Sequence, residues 1–131
     1  MNYESRIIKI KSFTDLIAWK EGHKLVLIIY KITKLFPKEE IFGLVSQMRR
    51  CVVSITSNLA EGFSRQSFKE KLQFYSIALG SITEIQNQLL IAKDIKYITE
   101  EQFNTITEQT ITVHKITNGL IKKSKFLILN S

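Results

Sequence analysis

Two histidines, one cysteine and scattered carboxylates are the reactive side chains of this 131-residue chain. Catalysis needs such groups to converge, and their spacing gives no sign that they do. His23 and His114 fall on separate segments, with no cysteine or paired carboxylate near either in sequence. Two imidazoles alone do not make a metal site, so both read as packing or surface residues. Cys51 falls on an apolar arc and reads as buried rather than nucleophilic. Gly43, Gly62 and Gly80 are isolated, so no phosphate-cradling loop is present. The expectation is a non-enzymatic protein with no cofactor and no metal.

The basic residues suggest a different chemistry. Nineteen Lys and Arg against twelve Asp and Glu give a formal charge of +7 and a pI near 9.6, which suits RNA, DNA or an acidic protein as partner. Arg49, Arg50, Arg65, Lys69 and Lys71 form one group, Lys115, Lys122, Lys123 and Lys125 a second, and Arg6, Lys9 and Lys11 a third. The nucleic-acid candidates are Arg49, Arg65, Lys69, Lys71, Lys122, Lys123 and Lys125, with Arg49 and Arg65 foremost because a guanidinium suits phosphate. Phe63, Phe68 and Phe126 lie close by in sequence and could stack on bases, although Phe63 and Phe68 are expected in the core. No known nucleic-acid motif occurs, so binding would rest on backbone charge with low sequence specificity. The alternative is a protein-interaction scaffold in which the positive charge serves a protein partner.

A polar stripe runs through "QMRRCVVSITSNLAEGFSR", residues 47–65. At about 100° per residue, Gln47, Arg50, Ser54, Asn58 and Glu61 share one strip about 80° wide. Leu44, Val45, Met48, Cys51, Val52, Ile55, Leu59 and Phe63 take the adjoining core arc. The remaining arc holds Arg49 as its one charge and reads as covered, by a partner subunit for example. Arg50 and Glu61 are too far apart along the helix to pair, so each is expected to find a partner elsewhere, with Glu84 and Lys93 as candidates. The preferred reading is a structural network at the core margin, and the rival is a ligand or nucleic-acid contact.

Positioning these groups falls to helices. Glycine is scarce and proline occurs once, at Pro37, which disfavours an all-β fold. A first helix is expected over 14–35, capped by Ser12 or Thr14 and ended by Pro37. Its Leu16, Trp19, His23, Val26, Tyr30 and Thr33 draw one face, and Leu25, Leu27, Ile28, Ile29 and Ile32 make much of the rest apolar too. A second helix is expected over 42–64. A third is expected over 67–95, opened by the capping-box pattern Ser67 to Glu70. Phe68, Leu72, Tyr75, Leu79, Ile82, Gln86 and Leu89 form its seam, while Ala78, Gly80 and Ser81 would admit another backbone closely. A fourth is expected over 99–127, opened by Thr99 and Gln102 in the same pattern. Short connections between long helices imply an all-α, antiparallel, up-down-up-down four-helix bundle in one domain spanning 1–131. The first dozen residues and the last few are expected to be mobile or to add an arm.

A lone cysteine excludes a disulfide framework and fits a reducing compartment. No signal-peptide pattern opens the chain, and "LVLIIY" at 25–30 is too short to span a bilayer. The expected location is the cytoplasm, with no membrane partner.

The residues also resemble a known family, the 23S rRNA intervening-sequence proteins, over nearly the whole chain. The resemblance starts at "FTDLIAWKEGHKL" and is most specific at Gln47, Arg49-Arg50, Ser54-Ile55, Asn58 and Ala60-Glu61-Gly62. Ala78, Gly80-Ser81 and Glu84 continue it. Cys51 stands where the family often has alanine, and Thr56 where it often has proline. Thr56 keeps the N–H that proline lacks, so the second helix is expected to be straighter here. The resemblance implies a four-helix bundle assembled as a homopentamer, with molecular function not established. A similar pentameric bundle is an accessory protein for a reverse transcriptase and binds nucleic acid, a parallel of architecture alone.

Overall fold

The computed structural model describes residues 10–131, which form four long α-helices joined by short turns. The first ordered turn is a short 3-10 helix, Phe13–Asp15, closed by a capping box between Ser12 and Asp15. Leu16 then turns extended (φ −71°, ψ 124°), so α1 spans Ile17–Thr33. The expected start at residue 14 is therefore early by three positions, because Ser12 caps the 3-10 turn rather than the long helix. Between Pro37 and the second helix lie a 3-10 turn, Lys38–Glu40, and a wide turn, Ile41–Val45, kinked at Gly43 (φ −113°, ψ −114°). The second helix, α2, is Ser46–Ser64 and begins after that kink rather than at residue 42. It runs unbroken through Thr56, as a residue with its own N–H allows.

The third and fourth helices, α3 (Phe68–Asp94) and α4 (Glu100–Leu129), start where the caps predict. Ser67 accepts from the Glu70 N–H, and Thr99 with Gln102 forms a full capping box. α4 continues to Leu129, so the expected loose C-terminus is helical almost to its end. The expected N-terminal arm, with Arg6 and Lys9, lies outside the described residues.

Side-chain contacts fix the directions of the helices. Between α1 and α2, Gly22 faces Thr56 and Leu59 while Thr33 meets Arg49. Between α2 and α3, Gly62 faces Tyr75 while Ser54 meets Ser81. Between α3 and α4, Gln86 donates to Thr110 and Lys93 lies over Phe103. Between α4 and α1, Gln109 donates to the Glu21 carbonyl while Ile32 shares a cleft with Gln102. Each partner index falls as the other rises, so all four adjoining pairs are antiparallel. The result is an up-down-up-down bundle, closed by α1 against α4.

The core holds Leu25, Ile29, Met48, Ile55, Leu59, Ile82, Ile85, Leu89 and Val113, all fully buried. On α1 the buried line is Ala18, Gly22, Leu25, Ile29 and Thr33, one step round from the expected face, and His23 and Tyr30 are exposed. A helix that is apolar nearly all round gives periodicity little to discriminate with. The two apolar rows of α3 merge into one wide buried face, with Phe68 and Gly80 outside it. α4 buries Thr110, Thr117 and Ser124, a seven-residue row of small polar side chains that an apolar pattern does not display.

Candidate nucleic-acid interface

The polar stripe of α2 becomes a seam against α3. Ser54 Oγ and Ser81 Oγ lie 2.9 Å apart, and Asn58 Nδ2 donates to the Ser54 carbonyl (2.8 Å) and hydroxyl (3.2 Å). Cys51 Sγ donates to the Ser81 carbonyl at 3.0 Å. Gln47, Arg50 and Glu84 complete a cleft of about 310 Å³ over these groups. Burial pushes the Cys51 thiol up to about 12, and the nearby Glu84 carboxylate adds to the shift. A thiol held that firmly protonated is a weak nucleophile.

The charges of the stripe behave differently from expectation. Glu61 pairs with Arg65 one turn along the same helix, at 3.2 Å, and needs no partner on another helix. Arg50 is exposed beside Glu84 in the cleft and enters none of the ion pairs among the described residues. Lys93 instead approaches Asp94 and the Phe103 ring. One seam residue escaped the sequence reading. Gln88 is 4% exposed and donates from Nε2 to Glu84 at 3.4 Å, while its Oε1 is unpartnered. Its spacing from Ser81 and Glu84, seven and four positions, was the available signal.

The seven basic candidates do not form one surface. Arg49 Nε donates to Thr33 Oγ1 at 3.0 Å, and its guanidinium lies 4.7 Å from the Tyr30 ring centre, so it ties α2 to α1. Lys71 donates to the carbonyls of Gly62 (3.2 Å) and Phe63 (2.7 Å), the open end of α2. Burial holds its pKa below the ordinary lysine value. Lys71 is thus a C-terminal cap on α2, where unpaired carbonyls and the negative helix end favour a cation.

Arg65, Lys69, Lys122, Lys123 and Lys125 are all exposed, and the antiparallel packing brings their segments to the same end of the bundle. Ser67, Phe68 and Lys69 share a cleft of about 420 Å³ with Ile128 and Ser131. Phe68 is 38% and Phe126 63% exposed there, whereas Phe63 packs partly against the core. α4 sharpens the polarity, since Glu100, Glu101 and Glu108 precede Lys115, Lys122, Lys123 and Lys125. That order suits the helix dipole by itself. It also concentrates positive charge at one end.

No other chemistry gathers among the described residues. His23 stacks on Trp19, with ring centres 4.7 Å apart, and no group of three His, Cys, Asp or Glu among the described residues could hold a metal. No helix among them is long and apolar enough to cross a membrane.

Fold and site together define a basic, all-α four-helix bundle with a polar seam and a cluster of exposed cations at the end where α4 closes. Residues 14–119 match the 23S rRNA-intervening sequence protein family, and the chain belongs to it. A solved structure with the same fold is a protein of unknown function from the S23 ribosomal protein family of Bacteroides thetaiotaomicron, determined at 1.70 Å. It superposes with a TM-score of 0.75 at 24% identity, covering 83% of this chain and 98% of its own. No curated protein matches the chain.

Proposed function

We propose that this protein binds RNA or DNA without enzymatic activity, through backbone charge and with low sequence specificity. One observation carries the reading: Arg65, Lys69, Lys122, Lys123 and Lys125 gather at one end together with exposed Phe68 and Phe126. Cations follow a phosphate backbone, and exposed aromatic rings accept bases of any sequence. Titration with single- and double-stranded RNA and DNA at two salt concentrations tests the reading. Micromolar or tighter binding that weakens steeply with salt is expected, and no binding at low salt would end it.

The same reading includes assembly as a homo-oligomer, a pentamer by family resemblance. Ile17, Leu27 and Leu35 are 64, 58 and 80% exposed, which is a large apolar area for a lone bundle to leave in water. Light scattering of the purified protein at tens of micromolar checks this, and a monomeric mass would contradict it.

A further inference from the structure

A groove of about 730 Å³ lies between α1 and α2, at the end of the bundle away from the lysines of α4. Its floor is apolar: Phe36 and Val45 are buried in the core, and Ile41 and Val53 extend it to the surface. The kink at Gly43 interrupts the helix just where Phe42 would otherwise continue it. Phe42 therefore stands at the lip of the groove, 96% exposed.

Four cations, Lys34, Lys38, Arg49 and Arg50, line this groove and no carboxylate does. Arg49 is fixed against the wall by Thr33 and Tyr30. Lys34, Lys38 and Arg50 are exposed and enter no ion pair among the described residues. Glu39, Glu40 and Glu84 lie nearby but none lines the groove, so a docking partner can supply the anions that complement the rim.

Three classes of occupant can be compared on charge and shape. A nucleic acid would stack its bases, but the Tyr30 ring is already covered by Arg49 at 4.7 Å and Phe36 is buried, which leaves Phe42 as the one free ring among the lining residues. Glu39 and Glu40, on the turn beside the groove, would repel any anion on that side, which favours spaced negative charges over a continuous phosphate chain. In a two-fold contact a second copy of this chain would set the same cations against each other, and a head-to-tail copy would have to bring its own carboxylates to the rim. A peptide can place separate carboxylates on the rim and an apolar side chain on the floor, as helix-in-groove recognition does. We infer that this groove docks an acidic segment of another protein, one that carries an apolar anchor between carboxylates. The site is separate from the proposed nucleic-acid end, so either can fail without the other.

Fluorescence anisotropy on the full chain tests the inference. The probe is a labelled peptide with Glu and Leu at helical spacing, and the control has Lys at every Glu position. The Glu peptide is expected to bind and the Lys peptide is not. Lys34→Glu with Lys38→Glu should weaken binding by about tenfold or more. Lys122→Glu with Lys123→Glu, at the far end, should leave it within about twofold. All four positions are exposed, and circular dichroism checks that the fold persists in both variants. Equal binding of the Lys peptide, or no response to the Lys34 and Lys38 changes, would overturn the proposal. So would displacement of the bound Glu peptide by single-stranded RNA in wild type and in the Lys122/Lys123 variant alike, which would make the groove a nucleic-acid site. A lower mass for Phe42→Asp in light scattering would assign the groove to a second copy and overturn it too.

Discussion

Gly62 has no room for a side chain. A Cβ there would lie 2.6 and 2.8 Å from two Tyr75 ring carbons and 3.2 Å from Phe74 Cβ. Gly62→Ala should destabilise the fold by about 1–3 kcal/mol, as overpacking does. Gly80 has nothing within 4 Å of the same position, so Gly80→Ala should stabilise by about 0.5–1 kcal/mol through helix propensity alone. Urea denaturation of both variants checks the pair, and equal effects of one sign would refute the contact argument. Cys51 gives a pH signature. Its thiol is raised from 9.0 to about 12 in the fold. A raised pKa favours the folded state below the unfolded value, and that support is lost as pH climbs from about 9 towards 12. Cys51→Ala, which carries no proton to lose, should therefore show a shallower fall in Tm across that alkaline range. Parallel profiles would mean that the thiol is not linked to folding.

At the scale of elements, ends matter more than middles. α3 closes on a left-handed residue, Lys96 (φ 65°), with Tyr97 N–H bonded to the Ala92 carbonyl and Lys96 N–H to that of Lys93. This is the Schellman arrangement, which prefers glycine at the left-handed position. Lys96→Gly should stabilise by about 1 kcal/mol in thermal or urea unfolding. α2 closes differently, on the Lys71 ammonium. Lys71→Met keeps the bulk, removes the donors and should cost about 1–3 kcal/mol, while RNA affinity stays near wild type if the lysine serves only the helix. The starts of α3 and α4 were legible because Ser67 and Thr99 bond to backbone N–H groups three residues on, a local rule that sequence displays. The starts of α1 and α2 were not. Leu16 and Gly43 leave helical geometry without a proline or a glycine pair to announce it. The buried line of α1 was also off by a step, since which apolar face meets α2 and α4 is decided by their packing.

Across the whole molecule, the sequence displayed the bundle and the polar stripe, but not how the basic residues divide. Seven cations were candidates in the chain, with Arg49 and Arg65 foremost. Folding turns Lys71 onto carbonyls and Arg49 onto Tyr30, and leaves five at one end with two exposed phenylalanines. That outcome depends on antiparallel contacts between distant segments, such as Lys69 near Ile128. The groove was hidden for the same reason, because Lys34, Lys38 and Arg50 meet Phe42 only after the kink at Gly43. The division predicts a separable salt effect. Each phosphate contact contributes about 0.7 to the slope of log K against log salt for a single strand. Lys122→Glu with Lys123→Glu should therefore flatten the RNA slope by about 1.4 and weaken binding at low salt most. Lys34→Glu with Lys38→Glu changes the net charge of the chain by the same amount at the opposite end. If position decides, RNA binding by that variant keeps nearly the wild-type slope. If total charge alone steers the nucleic acid, the two double variants lose affinity equally, and the interface assigned to the Lys122 end is wrong.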